Sequence, residues 1–81
     1  MEHTIELHTG VADYKVRLSR FGAWSPVYLW QIFLNGREFA RCEFSFYTSH
    51  ELIRDVSNYV LVHFGPLVAT QLDTSDLPEG F

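Results

Sequence analysis

The chain has 81 residues, 47% of them apolar, and a formal net charge of −4 from six Lys and Arg against ten Asp and Glu. That is enough apolar content for one small folded domain, and the acidic excess argues against a general nucleic-acid binder. A single cysteine excludes an internal disulfide and a cysteine metal cluster, and no run of about 18 apolar residues offers a membrane-spanning helix.

From the N-terminus, Met1-Glu2-His3-Thr4-Ile5-Glu6 lacks the basic-then-apolar layout of a signal peptide, so a cytoplasmic protein is expected. His3 to His8 alternates, with His3, Ile5 and Leu7 on one face and Thr4, Glu6 and His8 on the other. Period two reads as a half-buried strand. Thr9 to Asp13 makes a turn. A second strand starts at Tyr14, with Tyr14, Val16 and Leu18 inward and Lys15, Arg17 and Ser19 outward. Phe21 to Pro26 breaks the pattern with Gly22 and Pro26 and reads as a loop carrying Phe21 and Trp24.

The strongest local signal is Asn35-Gly36 between Val27–Leu34 and Arg37–Tyr47. Both turn residues tolerate positive φ, as a type I′ hairpin requires. Read literally, that turn sets Leu34 opposite Arg37, Ile32 opposite Phe39, Trp30 opposite Arg41 and Tyr28 opposite Glu43 on one face. Leu29, Phe33, Ala40, Cys42, Phe44 and Phe46 then share the other. Small Ala40 and Cys42 leave room for a helix, so their face is expected to be the helix-covered core. The Tyr28, Trp30, Ile32, Arg41 face is expected to be open. A slip of one residue would swap the two.

Thr48 as N-cap with Glu51 at N3 is a capping box that starts a helix. Leu52, Ile53, Val56, Tyr59, Val60, His63 and Phe64 recur at helical spacing as one apolar stripe, and Leu61 lies opposite it. Gly65 suits the helix end and Pro66 forbids continuation. Leu67 to Leu72 offers a fifth, edge strand. The expected fold is therefore α+β: an antiparallel sheet of four to five strands with one long helix on one face. Residues 1–72 read as a single domain and 73–81 as an acidic, flexible tail. Three of the ten acids lie in that tail, leaving seven acids against six bases on the body.

Residues that bear chemistry are scattered. His3, His8, His50 and His63 show no metal-helix spacing, and no metal or cofactor site is expected. Cys42, inward on a strand, reads as a small apolar residue, with no neighbouring base to activate it. Asp55 follows Glu51 on a solvated helix face, the glycines form no phosphate loop, and no catalytic set is expected.

What remains is aromatic excess. Two tryptophans, four tyrosines and seven phenylalanines are many for a domain that buries only about 60–65% of its unfolded surface. Trp24, Tyr28, Trp30, Ile32, Phe39 and Arg41 are the candidate partner-binding residues. They combine the ring and guanidinium types enriched at interface hot spots, and Trp30 opposite Arg41 could form a cation–π pair. In the alternative, the chain itself folds over this face as a second small core.

The run Leu34-Asn35-Gly36-Arg37-Glu38 through Phe46-Tyr47-Thr48-Ser49-His50-Glu51-Leu52, a hairpin followed by a capped helix, resembles small phage-encoded anti-CRISPR proteins. The resemblance covers the middle third of the chain. It implies a non-enzymatic inhibitor, acting in the host-cell cytoplasm, that occludes a surface of a larger bacterial complex. The near-neutral body departs from the strongly acidic surface of inhibitors that compete with nucleic acid. A homodimeric accessory subunit and a small enzyme or ligand carrier are the alternative readings.

Overall fold

A computed structural model describes all 81 residues. Its elements run β1 (Glu2–His8), β2 (Asp13–Phe21), β3 (Val27–Leu34), β4 (Arg37–Arg41), α1 (Ser49–Phe64) and the short α2 (Pro66–Ala69). The fold is α+β: four antiparallel strands in the order β1-β2-β3-β4, with α1 across one face.

Local chemistry sets the boundaries. Asn35 (φ 52°) and Gly36 (φ 79°) close the β3–β4 hairpin with the two positive-φ residues it needs. The Thr48 hydroxyl oxygen accepts from the Glu51 N–H at 3.1 Å and starts α1. The Thr48 hydroxyl in turn donates to the Glu51 carboxylate at 3.1 Å. Gly65 (φ 93°) ends the helix, and Pro66 occupies the first turn of α2, where its missing N–H costs nothing. Residues 67–72 therefore form no fifth strand: Pro66 seeds a helical turn, and Thr70 N–H bonds back to the Pro66 carbonyl.

The two faces of β3 are the reverse of the sequence expectation. Tyr28, Trp30 and Ile32 are buried beneath α1 with Leu52, Val56 and Val60, while Leu29 and Phe33 lie on the opposite face. The reason is a register shift between Ile32 and Phe33. The hairpin begins as the turn dictates, with Leu34 opposite Arg37 and Phe33 opposite Glu38. It then skips a residue at Phe39, so that Ile32 meets Ala40 and Gln31 meets Arg41. A bulge of this kind places two residues against one and reverses the facing of everything beyond it. Ala40 and Cys42 do lie on the helix side, as their size suggests, but next to Ile32 and Trp30 rather than beside Leu29. Trp30 N–H donates to Cys42 Sγ at 3.4 Å.

The ladder also ends early, at Arg41, leaving one isolated bridge between Tyr28 and Phe46. Phe46 packs against the core, but Phe44, expected there, is 73% exposed. The first hairpin obeys the period-two reading: Ile5, Leu7, Tyr14, Val16 and Leu18 all enter the core. Ser19, expected outward, is only 3% exposed between its strand neighbours Glu2 and Leu29.

Part of the aromatic excess is absorbed by the chain itself. Residues 73–81, expected as a flexible tail, form no helix or strand, and they bring Leu77 and Phe81 against the core. The Tyr28 hydroxyl donates to the Phe81 carbonyl oxygen at 2.7 Å and accepts from Arg20 Nε at 3.2 Å, and the two rings lie 5.7 Å apart. At the other end of the sheet, Gln71 fastens the chain to β1. Its Nε2 donates to the His8 carbonyl at 2.8 Å, and its Oε1 accepts from the His8 N–H at 2.6 Å.

The His8 side chain clamps the first hairpin. Its Nδ1 lies 2.9 Å from Asp13 Oδ1, and this hydrogen bond, reinforced by the Asp13 charge, raises the imidazole pKa above 6.5. A raised folded-state pKa means that the stability this pair contributes is complete below the unfolded value. It is lost as pH rises through the folded one. In an NMR titration His8 is expected to titrate above 6.5 and to fall back toward that value in Asp13→Asn. An unchanged titration in the variant would dismiss the clamp.

Candidate functional site

The expected constellation is not one surface. Trp30 is 2% exposed, and Tyr28 and Ile32 are equally enclosed. The Trp30 indole packs against the Tyr59 ring at 4.8 Å, tilted by 48°, and its Nε1 donates to Asp55 Oδ2 at 2.7 Å. Its partner is thus a carboxylate on α1 and not the Arg41 guanidinium. Phe39, the bulge residue, is half-exposed at the edge of the helix side, 5.2 Å from Tyr14 and 5.9 Å from Phe64. Of the six candidates Trp24, Phe39 and Arg41 are exposed, Phe39 on the helix side and Arg41 on the opposite one.

The uncovered face is the other one. Alternation and register assign to it Thr4 and Glu6 of β1, Lys15, Arg17, Ser19 and Phe21 of β2, Val27, Leu29, Gln31 and Phe33 of β3, and Glu38 and Arg41 of β4, with small Ser19 enclosed among its neighbours. α1, α2 and the core-packing residues of the tail lie on the opposite side. An antiparallel sheet can leave one face to solvent, but such a face is usually polar. Here it is polar only at one end.

At the polar end the side chains interlock. Arg17 donates through Nε and Nη2 to Gln31 Oε1 at 3.1 and 2.6 Å, and Gln31 Nε2 donates to Glu38 Oε2 at 3.2 Å. Arg41 closes the row with a two-pronged grip on Glu38, Nη2 to Oε2 at 2.7 Å and Nε to Oε1. That grip holds the Glu38 carboxyl below the ordinary carboxylate range and raises the Arg41 guanidinium. The Arg17 guanidinium also lies over the Phe33 ring, 4.7 Å from its centre. The row leaves a shallow depression of about 550 Å³ beside Thr4, Glu6, Lys15 and Phe33.

At the other end the face is apolar. Phe21 pairs directly with Val27, and the bridge from Tyr28 to Phe46 brings Tyr47 alongside Val27. Phe21 and Tyr47 are both exposed. Next to them the β2–β3 loop presents Trp24 at 98% exposure. Gly22 gives that loop its shape. It adopts φ +88°, and a Cβ there would sit 2.9 Å from the Ser25 carbonyl oxygen, so a side chain is excluded on two counts. Phe21, Trp24 and Tyr47 are thus three exposed rings carried by the β2–β3 loop and the backbone positions that flank it.

A second concavity, about 390 Å³, lies between β4 and α1 and is lined by Trp30, Cys42, Asp55, Tyr59 and His63 among others. Within it Asp55 accepts from Trp30, and the His63 ring stacks on Tyr59 at 4.1 Å. His8 pairs with Asp13, and no three His, Cys, Asp or Glu side chains converge as a metal site. Sequence reasoning placed Arg17 outward but missed Phe21, Tyr47, Leu29 and Phe33 as residues of the uncovered side. The facing of Leu29 and Phe33 follows from that of Val16 and Leu18 once β2 and β3 are paired, and that pairing is set by how the Gly22–Pro26 loop closes. Compared with known proteins, the chain matches no family model, no curated protein and no solved structure.

Proposed function

We propose that the chain is a non-catalytic protein-binding module, a small inhibitor-type domain that occludes a surface of a larger partner through its uncovered sheet face. The supporting observation is the exposure of Phe21, Trp24 and Tyr47, with half-buried Val27 paired to Phe21. Trp and Tyr are the side chains that contribute most when an interface desolvates them. The interlocked Arg17–Gln31–Glu38–Arg41 row supplies the polar rim such an interface needs, with its donors and acceptors held in place before binding.

The alternative occupant of this face is a second copy of the chain, as in a homodimeric accessory subunit. Light scattering separates the two. A monomer at micromolar concentration is expected. A tight dimer that dissociates when Tyr47 is changed to Lys would overturn the inhibitor reading and assign the face to self-association.

A further inference from the structure

β1 is an edge strand with its outer backbone groups unpaired over most of its length. Met1 and Arg20 exchange hydrogen bonds in both directions, Met1 N to Arg20 O at 3.0 Å and Arg20 N to Met1 O at 2.8 Å. Antiparallel pairing alternates, so the odd residues of β1 turn their N–H and C=O groups toward β2 and the even ones turn theirs outward. The outward set is Glu2, Thr4, Glu6 and His8. At His8 the structure already shows what this edge accepts. The Gln71 side-chain amide takes both its N–H and its C=O, at 2.6 and 2.8 Å, as the backbone amide of a neighbouring strand would. Glu2, Thr4 and Glu6 have no such partner.

The two edges of the sheet differ. β4 is short, bulged, and flanked by Arg37 and Arg41, all features that discourage a further strand. β1 runs through Glu2–His8 in unbroken register with β2 and contains no proline, lysine or bulge.

From these observations we infer that Glu2–Glu6 is a strand-addition site for an extended, basic segment of a partner protein. The free N–H and C=O groups of Glu2, Thr4 and Glu6 supply the ladder. The carboxylates of Glu2 and Glu6, four residues apart on the uncovered face with Thr4 between them, select cationic side chains at the two positions of the incoming strand that lie opposite them. Charge also argues against a second copy here. Antiparallel self-pairing centred on Thr4 sets Glu2 against Glu6 twice, and centring on Ile5 drives Glu2 into the position that Gln71 occupies at His8. The site is separate from the three exposed rings and does not depend on their role.

The test uses the full chain, labelled for NMR, and a short peptide alternating lysine and valine. Saturable binding is expected, with exchange of the Thr4 and Glu6 amide protons slowed by about tenfold or more, since a paired amide exchanges only when the added strand opens. The same peptide N-methylated at alternate residues is expected not to bind. A peptide alternating glutamate and valine is expected to bind only the double variant Glu2→Lys, Glu6→Lys, which leaves the backbone intact. Trp24→Ala should leave all of this unchanged. Shifts without amide protection would reduce the site to simple charge attraction and overturn the proposal. So would equal binding of both peptides by the natural chain, no binding at all, or Thr4 and Glu6 amides already protected in a dimer.

Discussion

Truncating Trp30 to alanine is expected to cost about 3–5 kcal/mol, the range for removing a large buried aromatic side chain. Small domains start from only about 5–15 kcal/mol, and one of this size sits toward the bottom of that range. The variant should therefore be largely unfolded near 37 °C, with a urea midpoint close to zero. Three contacts are lost together: burial under α1, the Tyr59 ring at 4.8 Å, and the indole hydrogen bond to Asp55 at 2.7 Å. Trp30→Phe keeps a ring in the site but leaves the Asp55 carboxylate without its donor, and should fall between, at about 1–3 kcal/mol. A near-neutral Trp30→Ala would mean that this ring faces solvent and that β3 is turned the other way.

Trp24→Ala is expected to give the opposite profile. The side chain is 98% exposed, so stability should stay within about 0.5 kcal/mol. Affinity for the partner protein should drop by about thirtyfold or more, the equivalent of a hot-spot loss of about 2 kcal/mol. Calorimetry of both variants against the partner reads the contrast directly. Unchanged affinity in Trp24→Ala would remove the loop from the interface.

The same two tryptophans show how far the sequence could be read. The elements were legible: alternation gave the first hairpin, Asn35-Gly36 the second, and Thr48 with Glu51 the start of the helix. The inward facing of Val16 and Leu18 was legible too, because both alternate with polar residues, Lys15, Arg17 and Ser19. The facing of β3 was not. Val27–Leu34 is apolar on both sides, with Leu29 and Phe33 competing against Trp30 and Ile32, so composition cannot choose between them. The turn at Asn35-Gly36 fixes register only at its own end, and the bulge at Phe39 undoes it two pairs later. β2 held the answer, since Leu18 opposite Trp30 and Val16 opposite Ile32 carry the inward face across. That register depends on how the Gly22–Pro26 loop closes, which no residue pattern specifies. The docking of Phe81 on Tyr28 was hidden for a similar reason, as a contact between residues far apart in the chain leaves no periodic trace.

The most direct measurement is a photo-crosslinking scan in the source cell. A photoreactive residue is placed in turn at Trp24 in the β2–β3 loop, at Tyr47 and at Gln31 of the uncovered face, and at Leu61 and Val62, which are exposed on the helix. Crosslinks from Trp24, Tyr47 and Gln31 to one and the same protein, with none from Leu61 or Val62, are the expected result. Crosslinks confined to the helix positions would contradict the assignment of the sheet face as the binding surface.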